Sequence, residues 1–202
     1  MGQHMSNIWQ EIISIADKSG RIVKVLRGNS ETGQKVCNRL GISADSALGS
    51  VVLNSSGIVI DNWIRLFGQG SIDNKNDKFK DFTAEMLLVA EDVVGGLFAM
   101  NLSRDEDNNL IWYFAPDTLE WECLDMKYGL FLSWAFEGNI DDFYTTMRWS
   151  TWAEDVKDID INSGILIYPF LWAKECNIET AKKSVVPIDE IMGINLDYSR
   201  KL

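Results

Sequence analysis

Apolar positions recur along this chain with a period that changes several times, and each change marks an element. Ser6 precedes Trp9, Ile12, Ile13 and Ala16 at three- and four-residue spacing, which predicts an amphipathic helix capped by the serine hydroxyl and stopped by Gly20. Residues 21–26 are β-branched and alternate, so they predict a short strand. Asn29 or Ser30 can cap a second helix through Val36 to a stop at Gly41. Apolar runs at 49–54 and 58–60 flank Ser55-Ser56-Gly57 and predict two strands around a tight turn, with a third strand at 63–67. Residues 69–81 mix Gly, Asn, Asp and Lys without periodicity, which predicts an exposed loop.

The middle of the chain is strand-like. Residues 86–90 form a continuous apolar run, Gly95-Gly96 permits a sharp turn, and 97–102, 111–114 and 119–122 follow as further strands joined by polar or Pro-containing links. In residues 111–114 period two places Trp112 and Phe114 on one face and Ile111 and Tyr113 on the other; both faces are apolar, which predicts an interior strand covered on both sides. From Tyr128 the period becomes helical, with Tyr128, Phe131, Leu132, Ala135 and Phe136 on one face and Gly138 as terminator. Shorter helical segments at 141–148 and 152–156, a strand at 164–168 and a closing helix after Pro187 complete the pattern. The sum is a single α+β domain over residues 6–202: a mostly antiparallel sheet with helices at the amino terminus and in the carboxy-terminal half. Residues 1–5 are expected to lie outside the fold, as a disordered or expression-derived leader.

Composition narrows the function classes. A chain of 202 residues buries about 70% of its unfolded surface, enough for one sizeable core. Eight tryptophans are many for this length, and most are expected to anchor that core. No apolar run is long enough to span a bilayer and no secretory pattern opens the sequence, so a cytoplasmic protein is expected. Cys37, Cys123 and Cys176 are odd in number and widely spaced, which predicts reduced structural thiols. A formal charge of −11 disfavours nucleic acid and anionic membrane and would suit a basic partner.

Catalytic patterns fail one by one. The only histidine, His4, lies at the terminus, which removes a histidine-based triad, and no phosphate-binding glycine motif is present. Asp105, Asp107 and Asn109 have the spacing that opens a calcium loop, but Leu110 stands where glycine is required and Pro116 where a bidentate glutamate is required. Asp141-Asp142 suits a helix's first turn, and Asp158, Asp160 and Asn162 a polar loop. Glu91 and Asp92 are adjacent carboxylates; in an extended segment they point to opposite faces, which makes a poor dyad and an exposed acidic corner. Neither metal nor cofactor is predicted.

The strings LLVAEDVVGGLFAMN at 87–101 and IWYFAPDTLEW at 111–121, with Phe131-Leu132-Ser133-Trp134, Arg148-Trp149, Tyr168-Pro169 and Val186-Pro187, resemble a bacterial family known only as a domain of unknown function. More distantly, residues 87–138 are similar to the SUKH superfamily, which includes toxin-immunity proteins. That likeness implies an α+β, non-enzymatic binding protein that meets its partner through an acidic face. Two readings result. The first is a binding protein for a basic partner such as a toxin domain, with Glu91, Asp92, Asp105, Glu106 and Asp107 as contact residues. The second is an enzyme or small-ligand or carbohydrate binder with a pocket lined by Trp112, Tyr113, Trp134, Trp149 and Trp152.

Overall fold

A computed structural model describes residues 7–83 and 85–201. The chain runs α1 (Asn7–Lys18), β1 (Val23–Arg27), α2 (Ser30–Leu40), α3 (Ala47–Asn54), β2 (Ser55–Ile60), β3 (Ile64–Phe67), α4 (Ser71–Thr83), β4 (Met86–Asp92), β5 (Leu97–Asn101), β6 (Leu110–Ala115) and β7 (Glu120–Lys127). It continues through α5 (Tyr128–Glu137), α6 (Ile140–Phe143), α7 (Trp152–Asp155), β8 (Ser163–Tyr168), β9 (Lys182–Pro187) and α8 (Ile188–Ser199). Strands β1 to β7 pair antiparallel in sequence order, and β8 with β9 forms a separate hairpin. The α+β meander expected from the sequence is therefore the fold.

Register divides the large sheet into two faces. Val59, Arg65, Glu91, Leu97, Phe114 and Trp121 are successive cross-strand neighbours on one of them. Ile58, Leu66, Ala90, Phe98, Tyr113 and Glu122 run across the other. On this second face Phe98 and Tyr113 pack into rings from the α5–α6 region, with Phe98 4.9 Å from Phe131 between centroids and Tyr113 5.0 Å from Phe143. Strand β6 lies between β5 and β7, and Ile111, Tyr113 and Phe114 are buried, as its double-sided apolar pattern predicts.

Four elements differ from expectation, the first being the helix expected at 141–148, of which only the short α6 forms. Residues 49–54 are helix, not strand: Ser46 caps α3 by accepting from Gly49 N–H, and the run is short enough for its apolar content to suit either state. The tight turn lies instead at Asp61-Asn62, both in the left-handed region (φ 53° and 51°), and is closed by Trp63 N–H donating to Ile60 O at 2.9 Å. Residues 71–83, expected as loop, form α4. Ile72, Phe79 and Thr83 are its buried positions, but the intervening inward turn carries Lys75 and Asn76, which hides the helical period. Strand β9 has no counterpart in the sequence pattern, because its Lys182-Lys183-Ser184 start is polar. The Ser6 cap and residues 1–5 lie outside the described residues.

Cys37 is fully buried, whereas Cys123 and Cys176 are half-buried, and all three are free thiols whose pKa is raised by desolvation. A thiol reagent should modify Cys123 and Cys176 in the native protein and Cys37 only on unfolding. Equal native reactivity of all three would contradict this burial.

Candidate functional site

The sharpest correction concerns Glu91 and Asp92. They end β4 on opposite faces, as alternation requires, but they are 3% and 0% exposed and form no exposed corner. The physical reason is their place in the sheet. β4 is its middle strand, and the tail of β4 is closed on one side by Trp63 and on the other by β8, whose Ile165 N–H donates to Val93 O. Charge reversal at these positions, neutral to stability on an exposed corner, would here bury two lysines.

Asp92 organises one layer. Its Oδ1 accepts from Val94 N–H (3.1 Å) and Gly96 N–H (2.8 Å), and its Oδ2 accepts from the Tyr113 hydroxyl (2.7 Å) and the Tyr144 hydroxyl (3.1 Å). Gly96 is required, since a Cβ there would collide with Asp92 Oδ2 and the Tyr113 hydroxyl. Burial raises the Asp92 pKa despite these donors, and burial next to the carboxylate raises both tyrosines.

Glu91 organises the other layer. Its Oε2 accepts from Lys75 Nζ of α4 at 2.5 Å, and its Oε1 lies 3.7 Å from Arg65 Nη1 on the neighbouring strand. Lys75 also reaches Asp189 in the first turn of α8 at 2.6 Å, and Lys78 reaches the second oxygen of Asp189 at 2.6 Å. Desolvation raises the Glu91 pKa against the opposing pull of Lys75 and Arg65. β3 pairs with β4 only at residues 90–92; further along, Asn76 of α4 takes a strand's place, donating to Leu88 O and accepting from Leu88 N–H.

The five aromatic residues do not gather round one cavity. Tyr113 is buried on Asp92, and Trp134 stacks among Phe98, Phe131 and Phe143. Trp149 and Trp152 pack on fully buried Trp63, with the Arg148 guanidinium 3.8 Å from the Trp152 ring. Trp112 points to the opposite sheet face from Tyr113. There it meets part of the acidic set: a cleft of about 440 Å³ has walls of Phe82, Met86, Trp112 and Trp121 and a border carrying Glu85, Asp105 and Asp107. Glu85, Asp105 and the neighbouring Glu106 are exposed, and Asp107 is partly so.

The Trp112/Trp121 cleft is built by register. Trp112 sits opposite Cys123 and Trp121 opposite Phe114, so both indoles lie on one face at the sheet's β7 edge, beyond the carboxy-terminal end of α4. Trp112 Nε1 is buried without a hydrogen bond. Asp105 is held in place as Oδ1 accepts from Asp107 N–H at 3.2 Å. The Arg200 guanidinium already lies 3.7 Å from the Phe82 ring, a cation–π contact at this border. Trp121 lies outside the five aromatic residues expected from the sequence; its alternation with Glu120 and Glu122 is the signal that marks it.

Among the described residues no group of His, Cys, Asp and Glu is placed to hold a metal ion, and no helix is long and apolar enough to cross a membrane. A family profile described as "Protein of unknown function DUF2625" matches residues 2–191. The Escherichia coli (strain K12) protein YbfG is 34% identical over 176 residues, covering 83% of this chain and 81% of its own length. An uncharacterized Haemophilus influenzae protein is 28% identical over 207 residues, covering 96% of this chain and 90% of its own.

Proposed function

The chain belongs to the bacterial DUF2625 family of unknown function, and from that premise we propose that it is a non-enzymatic binding protein whose Trp112/Trp121 cleft takes basic side chains of a protein partner. The immunity-type role implied by the SUKH likeness is the form of this reading we favour. One observation carries it: two indoles and a row of carboxylates share one open cleft at the sheet edge. Aromatic faces attract guanidinium and ammonium groups, and the surrounding carboxylates add charge and hydrogen-bond acceptors. The net charge of −11 favours encounter with a basic surface over some distance.

The test uses a short peptide carrying three arginines and its citrulline counterpart, which keeps shape and removes charge. The arginine peptide should bind, and its association should slow as salt rises past the point where the Debye length falls below about 8 Å. Asp105→Asn with Asp107→Asn should lower the on-rate and leave stability within about 0.5 kcal/mol. Trp112→Ala should cost about 2 kcal/mol of binding, a loss of about thirtyfold. Equal binding of the citrulline peptide, or indifference to all three substitutions, would defeat the proposal.

A further inference from the structure

A second cavity, of about 310 Å³, lies at the other end of α4, against the β1–β4 half of the same sheet face. It adjoins a wider depression of about 450 Å³, which it meets along Ser71, Asn74, Lys75 and Asn162. Arg65 and Glu91 lie at its base with side chains 4% exposed each, and Lys75 stands beside them.

The state of Arg65 is the anomaly. Its Nη2 donates to the carbonyl of Ser163 at 2.7 Å and lies 3.4 Å from that of Asp160, while Nη1 is buried and makes no hydrogen bond. Guanidinium donors left unpaired in an interior are costly, and an apolar residue in place of Arg65, beside Ile64, Leu66 and Phe67, would serve stability better. Glu91 does not relieve this, since its Oε1 at 3.7 Å is beyond a good hydrogen bond and its other oxygen, Oε2, is committed to Lys75.

Charge defines the missing partner. Lys75 is shared between Glu91 in the cavity lining and Asp189 in the adjoining depression, where Lys78 also engages Asp189; two ammonium groups thus meet two carboxylates, and Arg65 is the cation left over. One negative charge balances the surplus, and a dianion would overbalance it next to Glu91. The walls also offer Leu26, Phe67 and Ile161 to a short hydrocarbon body, and the volume is at the small end of the range of ligand sites.

We propose that this cavity binds a small organic monocarboxylate, its carboxylate on the Arg65 guanidinium and its hydrocarbon portion toward Ile161. A planar fork suits a carboxylate, which accepts two parallel N–H bonds from one guanidinium. The site is independent of the Trp112/Trp121 cleft, and either assignment can fail without the other.

The probes are 3-hydroxybutyrate, its neutral amide 3-hydroxybutyramide and inorganic phosphate, titrated into the full chain and followed by backbone amide shifts. The carboxylate should shift Ser71, Asn74 and Asn162 saturably, with the amide and phosphate each at least about tenfold weaker. Arg65→Lys keeps the charge and loses the fork, so carboxylate affinity should drop about tenfold. Arg65 also holds the 160–163 loop, so a second variant keeps the test sound if that one fails to fold. Ile161 is 40% exposed at the rim, and Ile161→Trp should block binding and leave the urea midpoint in place. Saturable shifts that carboxylate and amide share equally, a preference for phosphate, unchanged binding in Ile161→Trp, or no saturable shift with any probe would each overturn the proposal.

Discussion

Asp92→Ala should cost about 3 kcal/mol or more, measured as the loss of unfolding free energy in urea. The substitution strands two tyrosine hydroxyls and two backbone N–H groups in the buried interior. Asp92→Asn should cost far less, because its amide oxygen can still accept from Val94 and Gly96 and its NH₂ can donate to the tyrosine oxygens. The pH dependence has a definite sign. Burial raises the Asp92 pKa above its ordinary 3.8, so the part of stability linked to its protonation is fully present below that value and is lost as pH rises through the folded pKa. Asn cannot titrate, and Asp92→Asn should flatten that part of the profile. If Asp92→Ala and Asp92→Asn proved equally mild, the four hydrogen bonds would not be organising this layer.

Trp63→Ala should cost about 3–5 kcal/mol, the range for deleting a large buried aromatic side chain. The ring is fully buried and packs on Tyr144, Trp149 and Trp152 at centroid distances of 5.4, 5.9 and 5.2 Å. The Arg148 guanidinium lies 4.7 Å from the same ring. Residues 144–152 carry little regular structure, so this one side chain from the β2–β3 turn holds that segment against the sheet. Hydrogen exchange should therefore show 144–152 losing protection in Trp63→Ala before the strands β4 to β6 do. Uniform loss across the sheet would contradict this local role.

Much of the architecture was legible because most elements bury one kind of residue at one period. β4, β5, β6 and α5 are such cases, and their residues lie where their alternation or helical spacing puts them. α4 was not legible, since two inward positions are filled by Lys75 and Asn76, and both act there through contacts made by residues distant in sequence. The same cause hid the site at Glu91. Adjacent carboxylates at a Gly-Gly turn resemble a solvated corner, and only the tertiary fold brings Lys75, Arg65, Tyr113 and Tyr144 to them. Asp105, Asp107 and Trp112 were individually visible as candidates. Their convergence depends on the register of β6 with β7 and on where α4 ends, which local sequence does not encode.

The eight tryptophans supply the most direct measurement of the central claim, since each indole N–H is a separate reporter in a ¹⁵N-resolved spectrum. On titration with the three-arginine peptide, the signals of Trp112 and Trp121 should shift together and saturate, and those of Trp9, Trp63 and Trp149 in the interior should stay in place. Saturable shifts confined to other indoles, or no saturable shift at Trp112 and Trp121, would contradict the assignment of this cleft as the site for a basic partner.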